Sequence, residues 1–178
     1  MRADAVRNRA KIVQAAKAAF AETGLQTQME DVARRAEVGV GTVYRHFPTK
    51  DALVRALIFD KMARLADIAA EALASDADEW SALESVFWRA GEDHSDDRAL
   101  REVVSSQPQA VFQQAAEETQ LAPRMAELVS RAQAAGVARP ELEAQDVPLV
   151  MCGLAAVVQS GRDWRRYLTF MLDGFRAR

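Results

Sequence analysis

The stretch Thr27–Leu53, TQMEDVARRAEVGVGTVYRHFPTKDAL, holds two short apolar-patterned segments, a glycine-containing turn, an aromatic-rich hexapeptide, a proline and a fresh helix start. Thr27-Gln28-Met29-Glu30 reads as a capping box, with Thr27 as N-cap and Glu30 reaching back from three residues on. The helix that follows carries Met29, Val32, Ala33 and Ala36 on one face and gives way to a turn at Glu37-Val38-Gly39. A third, short helix spans about Val40 to Phe47, with Val43 and Phe47 one turn apart and facing inward. Pro48 ends it, because the residue before a proline avoids the helical region. Thr49 then caps a fourth helix, with Asp51 in the first turn, where the dipole favours an anion.

Outward from this run, the chain reads as longer helices. Ile12, Val13, Ala16 and Phe20 recur at helical spacing, and Gly24 stands where that first helix, from about Asp4 to Glu22, should stop. The fourth helix runs on through Leu53, Leu57, Phe59, Met62, Leu65 and Ala69 to about Ala74. Further helices are predicted at roughly 78–94, 97–106, 108–119, 121–135, 146–160 and 163–176, with Pro108, Pro123, Pro140 and Pro148 at or near starts and breaks. With 49% hydrophobic residues, 8 Gly and 5 Pro in 178 positions, the expectation is an all-α chain of about nine helices with a substantial core.

A single cysteine, Cys152, excludes an internal disulfide framework and a cysteine-based zinc site; with nothing basic nearby in sequence, it is expected to be a small buried residue. The N-terminus is polar and then amphipathic, without the apolar core of a signal peptide, and the longest uncharged run, Val147 to Gly161, is short for a bilayer. A cytoplasmic protein without membrane contact is the expectation. Residues 1–50 carry nine Lys/Arg against five Asp/Glu, whereas the remainder carries fourteen against twenty-one. A basic head on an acidic body points to a polyanion partner for the head alone.

Two short helices joined by a tight turn, with another helix before them, make a helix-turn-helix head. Its core should be a triangle of Ala16 and Phe20, Val32 and Ala36, and Val43 and Phe47. That leaves Val40, Gly41, Thr42, Tyr44, Arg45 and His46 outside on the third helix. Thr42 and Arg45 suit base edges or phosphates, while Tyr44 and His46 suit phosphate. Val40 fits a thymine methyl or a cover for the turn. Lys50, at the start of the fourth helix, adds a charge to free backbone N–H groups, and Thr27 and Gln28 offer the same at the second. Against these stand plainer readings: Tyr44 as packing, His46 as a helix-end residue, Arg45 as a nonspecific clamp.

The run DVARRAEVGVGTVYRHFPTKDALV resembles the signature of the TetR family of bacterial transcriptional regulators, in its AcrR-like branch. The likeness extends back through RAKIVQAAKAAFAETG and covers roughly residues 7–58. Phe20, the Thr27 cap, Val32-Ala33, Gly41-Thr42-Val43-Tyr44, Phe47-Pro48 and Lys50 carry it together. Two positions depart from the pattern. Glu37 stands where the family usually has glycine, and a left-handed backbone there would cost about 1–2 kcal/mol. Gly39 stands where a serine usually caps the third helix.

The resemblance implies a DNA-binding domain over residues 1–50 and a helical ligand-binding and dimerisation domain over 51–178. DVPLVMCGLAAVVQS is apolar almost all round, and the last helix carries Trp164, Leu168, Met171 and Phe175 along one stripe. A two-fold contact of two helices from each copy accounts for that surplus, with Leu154, Val158, Trp164, Leu168, Met171 and Phe175 as its candidates; the alternative is an ordinary intrachain core. Met62, Leu65, Phe87, Phe112, Met125 and Met151, with Trp80 and Leu83, are candidates to line a cavity, and His94 is either its polar anchor or an exposed helix-end residue. The expected function is a homodimeric repressor released from a palindromic double-stranded operator by a small apolar or amphipathic effector. The alternative is a DNA-bound adaptor whose body binds another protein. With two histidines, no Ser-His-acid set, no Glu-x-x-His pair and no phosphate-cradling glycine loop, no enzymatic activity, cofactor or metal is expected.

Overall fold

The computed structural model describes residues 2–96 and 107–177. Among these residues lie nine α-helices: α1 (Arg2–Thr23), α2 (Met29–Arg35), α3 (Val40–His46), α4 (Lys50–Leu73), α5 (Glu79–Asp96), α6 (Gln109–Glu118), α7 (Leu121–Ala134), α8 (Asp146–Gln159) and α9 (Trp164–Phe175). A 3-10 turn, Gly24–Gln26, follows α1, and among the described residues one isolated β-bridge joins Ala138 to Arg176. The all-α expectation holds, while the helix expected at 97–106 lies outside the described residues. None of the described helices is long and apolar enough to cross a membrane. The described chain divides into two compact units, 2–60 with 107–112 and 61–96 with 113–177; the first division falls inside α4.

In the first unit, the head, Ala16 and Phe20 of α1, Val32 and Ala36 at α2, and Val43 and Phe47 at α3 are all buried. The triangle forms because each short helix offers one apolar stripe and has no other surface on which to hide it. The start of α2 differs from expectation. Gln28 is the N-cap, and its N–H donates to the carboxylate of Asp31 at 3.3 Å, so the box is shifted one residue along. Thr27 is sealed instead, at 1% exposure, with its hydroxyl 2.9 Å from the Gly24 carbonyl, 3.2 Å from that of Ala19 and 2.7 Å from the Thr23 hydroxyl. A short side chain whose oxygen is satisfied by three neighbours has none left for a helix end.

The end of α2 turns through Glu37, whose φ of 55° is left-handed. Its N–H donates to the Arg34 carbonyl and that of Val38 to the Ala33 carbonyl, the paired bonds of a Schellman stop. Gly39 is the extended N-cap of α3, and the Thr49 hydroxyl accepts from the Ala52 N–H at 3.0 Å to start α4.

In the second unit, the body, α5 packs on α7, α8 and α9, and α8 packs on α9. Trp80, Phe87, Met125, Leu128, Leu154, Trp164, Leu168 and Leu172 share one core. Gly91 of α5 lets the Trp164 ring in, since a Cβ there would stand 2.4 Å from the ring. Asp163 caps α9 by accepting from the Arg165 and Arg166 N–H groups.

This packing corrects the intersubunit assignment of Leu154, Trp164 and Leu168. All three are buried within their own chain, and Val158, Met171 and Phe175 lie half-buried against the same core. The strongest apolar stripe of α9 faces inward because the body has an intrachain surface to match it. What stays outside is different: Leu149 of α8 at 63% exposure and Phe170 of α9 at 61%. Cys152, expected to be buried, is exposed on α8, three residues from Leu149.

Candidate nucleic-acid interface

The outer face of α3 is built by subtraction. Val43 and the C-cap Phe47 take the inward positions, so Val40, Gly41, Tyr44 and Arg45 are exposed and Thr42 and His46 half-exposed. Gly41 adopts no left-handed backbone, and a Cβ added to it would meet nothing within 4 Å. At 44% exposure Tyr44 is outside the core, so its ring is available to a partner.

Cations flank this face. Lys50, half-buried in the first turn of α4, holds its ammonium 5.6 Å from the centre of the Phe20 ring. The Arg9 guanidinium of α1 lies 5.2 Å from the centre of the Phe47 ring, which in turn tilts against the His46 ring at 6.4 Å. Arg9 is a residue the sequence pattern did not single out, because nothing in spacing links it to a phenylalanine 38 positions on. Gln28 is exposed, its amide donating to the Gln26 carbonyl at 3.0 Å. Thr27 drops out of the set, since its buried hydroxyl cannot meet a phosphate.

Behind the face, Arg35 forks onto Glu22 at 2.8 and 2.5 Å, joining α2 to α1. Hydrogen bonding to Arg35, then its charge, holds the Glu22 carboxyl below its ordinary value. Arg34 pairs with Asp31 at 2.7 Å.

Residues 12–57 match the family model of bacterial regulatory proteins of the tetR family, and residues 79–177 match the SbtR-like transcriptional regulator C-terminal domain. The second match alone spans more than half of the chain. The chain belongs to the TetR family of transcriptional regulators. A solved TetR regulator from Mycobacterium vanbaalenii is 32% identical over 99% of both chains, with a TM-score of 0.65. An HTH-type transcriptional repressor of Mycobacterium tuberculosis is 50% identical over 50 residues, which span 28% of this chain and 27% of that repressor. Thermus thermophilus FadR, a TetR family repressor solved with lauroyl-CoA, shares the fold at 21% identity, covering 93% and 91% of the two chains with a TM-score of 0.68. These matches carry the family and leave its AcrR-like branch to the likeness of the head alone.

In this regulator the body residues expected around an effector do not form one set. Phe87 and Met125 are buried in the body core, Met151 packs against that core, and Leu65 is also buried. Met62 is half-buried, and Phe112 falls in the head's unit. His94 is neither a bare helix end nor alone: its Nδ1 stands 3.4 Å from the Lys61 ammonium. Lys61 is buried at 7% exposure and reaches the Asp93 carboxylate at 3.1 Å, with Arg64 3.6 Å from the same group. A buried ammonium needs such a partner, since taking a charge out of water costs several kcal/mol, on the order of a folded domain's net stability. The sequence reading missed Lys61 because a lysine in an amphipathic helix normally reads as solvated.

Proposed function

We propose that this TetR family member is a homodimeric repressor that grips a palindromic operator through α3 and the start of α4. A small apolar or amphipathic effector bound in the body releases it. The observation that supports the DNA contact best is Gly41. Gly41 stands in the first turn of α3, where a glycine costs at most about 0.5–1 kcal/mol relative to alanine, and among the described residues no neighbour within 4 Å or left-handed backbone requires one there. The reason for the glycine then lies outside the chain, in a surface that comes close to the α3 backbone. On this reading, Arg45 and Thr42 reach base edges while Tyr44, His46, Gln28 and Lys50 hold phosphates.

Two heads must reach major-groove sites about 34–36 Å apart. We place the partner copy on α8 and α9, where Leu149, Ala156 and Phe170 are exposed. Effector binding would act by differing in affinity between a head spacing that fits the operator and one that does not. The lauroyl-CoA of the Thermus FadR is an amphipathic ligand of the proposed class.

The test is a salt-dependent titration on duplex from the gene's own upstream region, with scrambled duplex as control. Wild type should prefer one palindromic duplex, and Lys50→Ala should weaken all sequences while lowering the salt slope by about 1.8, about 0.9 for each copy of the dimer. Arg45→Ala should relax preference at its base pair by about 1–3 kcal/mol. Phe170→Glu should yield monomers in sedimentation. No preferred duplex for the wild-type dimer would overturn the reading.

A further inference from the structure

We propose that Arg9 of α1 is a further phosphate contact of the head, aimed by Phe47; this rests on the DNA-binding reading above. The argument starts from how the head neutralises its arginines. Arg7 pairs with Asp4, Arg34 with Asp31, Arg35 with Glu22 and Arg55 with Asp51. Among the described arginines of that unit, Arg9 and Arg45 alone meet no carboxylate, and Lys11 of α1 adds a further uncompensated cation to the same helix. Arg45 stands on the exposed face of α3, where an uncompensated charge suits a polyanion. Arg9 shares that charge state from a different helix.

What fixes Arg9 is the ring beneath it. Phe47 is buried, and as the C-cap of α3 it donates its N–H to the Val43 carbonyl at 2.8 Å. The Arg9 guanidinium carbon sits 5.2 Å from the centre of that ring, so it is anchored to the end of α3 although it belongs to α1. A guanidinium held against an aromatic surface keeps its N–H edge for a second partner, and that edge matches phosphate oxygens in pairs. Arg9 itself is exposed, so the edge is reachable. In helix-turn-helix docking the recognition helix enters the groove and reads base edges, and most other contacts go to sugar and phosphate, which makes phosphate the partner of an arginine on α1 in preference to a base.

The contact is sequence-independent, and its signature is electrostatic. Full-length wild type, Arg9→Met, Arg9→Lys and Lys50→Ala are titrated on the preferred and scrambled duplexes between about 50 and 200 mM salt, with melting followed in parallel. Arg9→Met keeps an apolar stem against the ring and removes the charge. It should lower the log–log salt slope by about 1.8 on both duplexes, about 0.9 for each copy of the bound dimer. Arg9→Lys should restore the slope while binding more weakly than wild type, since an ammonium cannot fork. A wild-type slope in Arg9→Met beside a reduced one in Lys50→Ala overturns the proposal and leaves the DNA reading standing. A loss confined to the preferred duplex also overturns it, because Arg9 would then read bases. If no duplex is preferred and neither charge matters, the DNA reading falls and takes this contact with it. Lower melting temperatures in both Arg9 variants with unchanged slopes would make the residue structural only.

Discussion

The head and the body dispose of their apolar residues differently. In the head, Val6, Val40 and Tyr44 are exposed and Val38, Phe59 and Phe112 half-buried, and the outer face of α3 sets glycine, hydroxyls and cations beside Val40 and Tyr44. In the body, a full core coexists with Leu149 and Phe170 left in water. The difference teaches what each unit is completed by. A surface whose exposed apolar groups stand among hydroxyls and uncompensated arginine suits a charged duplex, whereas one that exposes a large leucine and phenylalanine suits another apolar surface.

The sharpest way to break the contrast is to remove one aromatic ring from each side of it. Phe20→Ala in the head core should cost about 3–5 kcal/mol in chemical denaturation, because a buried ring leaves a cavity. Phe170→Ala should change the unfolding of the isolated copy by no more than about 0.5 kcal/mol. Its effect should appear in the concentration dependence of melting, as expected when folding and association are linked. Equal losses at a single dilute concentration would mean that Phe170 is core after all.

Glycines sharpen the comparison further. Gly91→Ala forces a Cβ to 2.4 Å from the Trp164 ring and should destabilise the body by about 1–3 kcal/mol. Gly41→Ala meets nothing and should stabilise the head by at most about 0.5–1 kcal/mol while weakening operator binding. Opposite signs in stability, with binding lost only in the second, separate a glycine kept for internal packing from one kept for a partner. A Gly41→Ala variant that binds as wild type would remove the strongest support for the proposed contact face.

How far the sequence could be read follows the same division. The head was readable because short helices need explicit stops: Thr49 caps α4, Gly39 opens α3 and Pro48 follows its end, each at the position its chemistry requires. Thr27 misled because a threonine before Met29 suits an N-cap equally well in pattern, and only the neighbouring carbonyls of Ala19 and Gly24 draw its hydroxyl inward. In the body, the stripe of Trp164 and Leu168 states that a face is buried but not against what. Arg9 and Lys61 were invisible for a related reason: their partners, Phe47 and Asp93, are brought to them by tertiary folding, which no local period encodes.

Glu37 offers a smaller test inside the head. Its left-handed backbone is what the Schellman stop needs, and a side chain there is strained. Glu37→Gly should stabilise the protein by about 1 kcal/mol, read from the denaturation midpoint at unchanged slope. Gln120, at φ 65° between α6 and α7, permits the parallel substitution, Gln120→Gly, with the same sign. No gain at either site would mean that side-chain contacts offset the backbone strain.

The smallest effects are electrostatic, and they distinguish the units by mechanism. Glu22 is held below its ordinary value chiefly by hydrogen bonding to Arg35 and then by its charge, whereas Asp78, beside the start of α5, is held down chiefly by the Ser81 hydroxyl and then its N–H. Both carboxyls are more acidic folded than unfolded. Each therefore contributes stability that is present above the ordinary carboxylate range and disappears as the pH falls through its folded value. Glu22→Gln and Asp78→Asn should each flatten part of the acid limb of the stability curve. Salt should tell them apart, because the screening length falls from about 10 Å at 0.1 M to about 3 Å at 1 M. The Glu22 contribution, part of an exposed ion pair, should shrink at 1 M more than that of Asp78, whose partners are a hydroxyl and a backbone N–H. A carboxyl titration followed by NMR at both salt concentrations would read each group directly. Equal salt sensitivity at the two sites would mean that the fork between Glu22 and Arg35 acts through its hydrogen bonds alone, with the charge of the arginine adding nothing measurable.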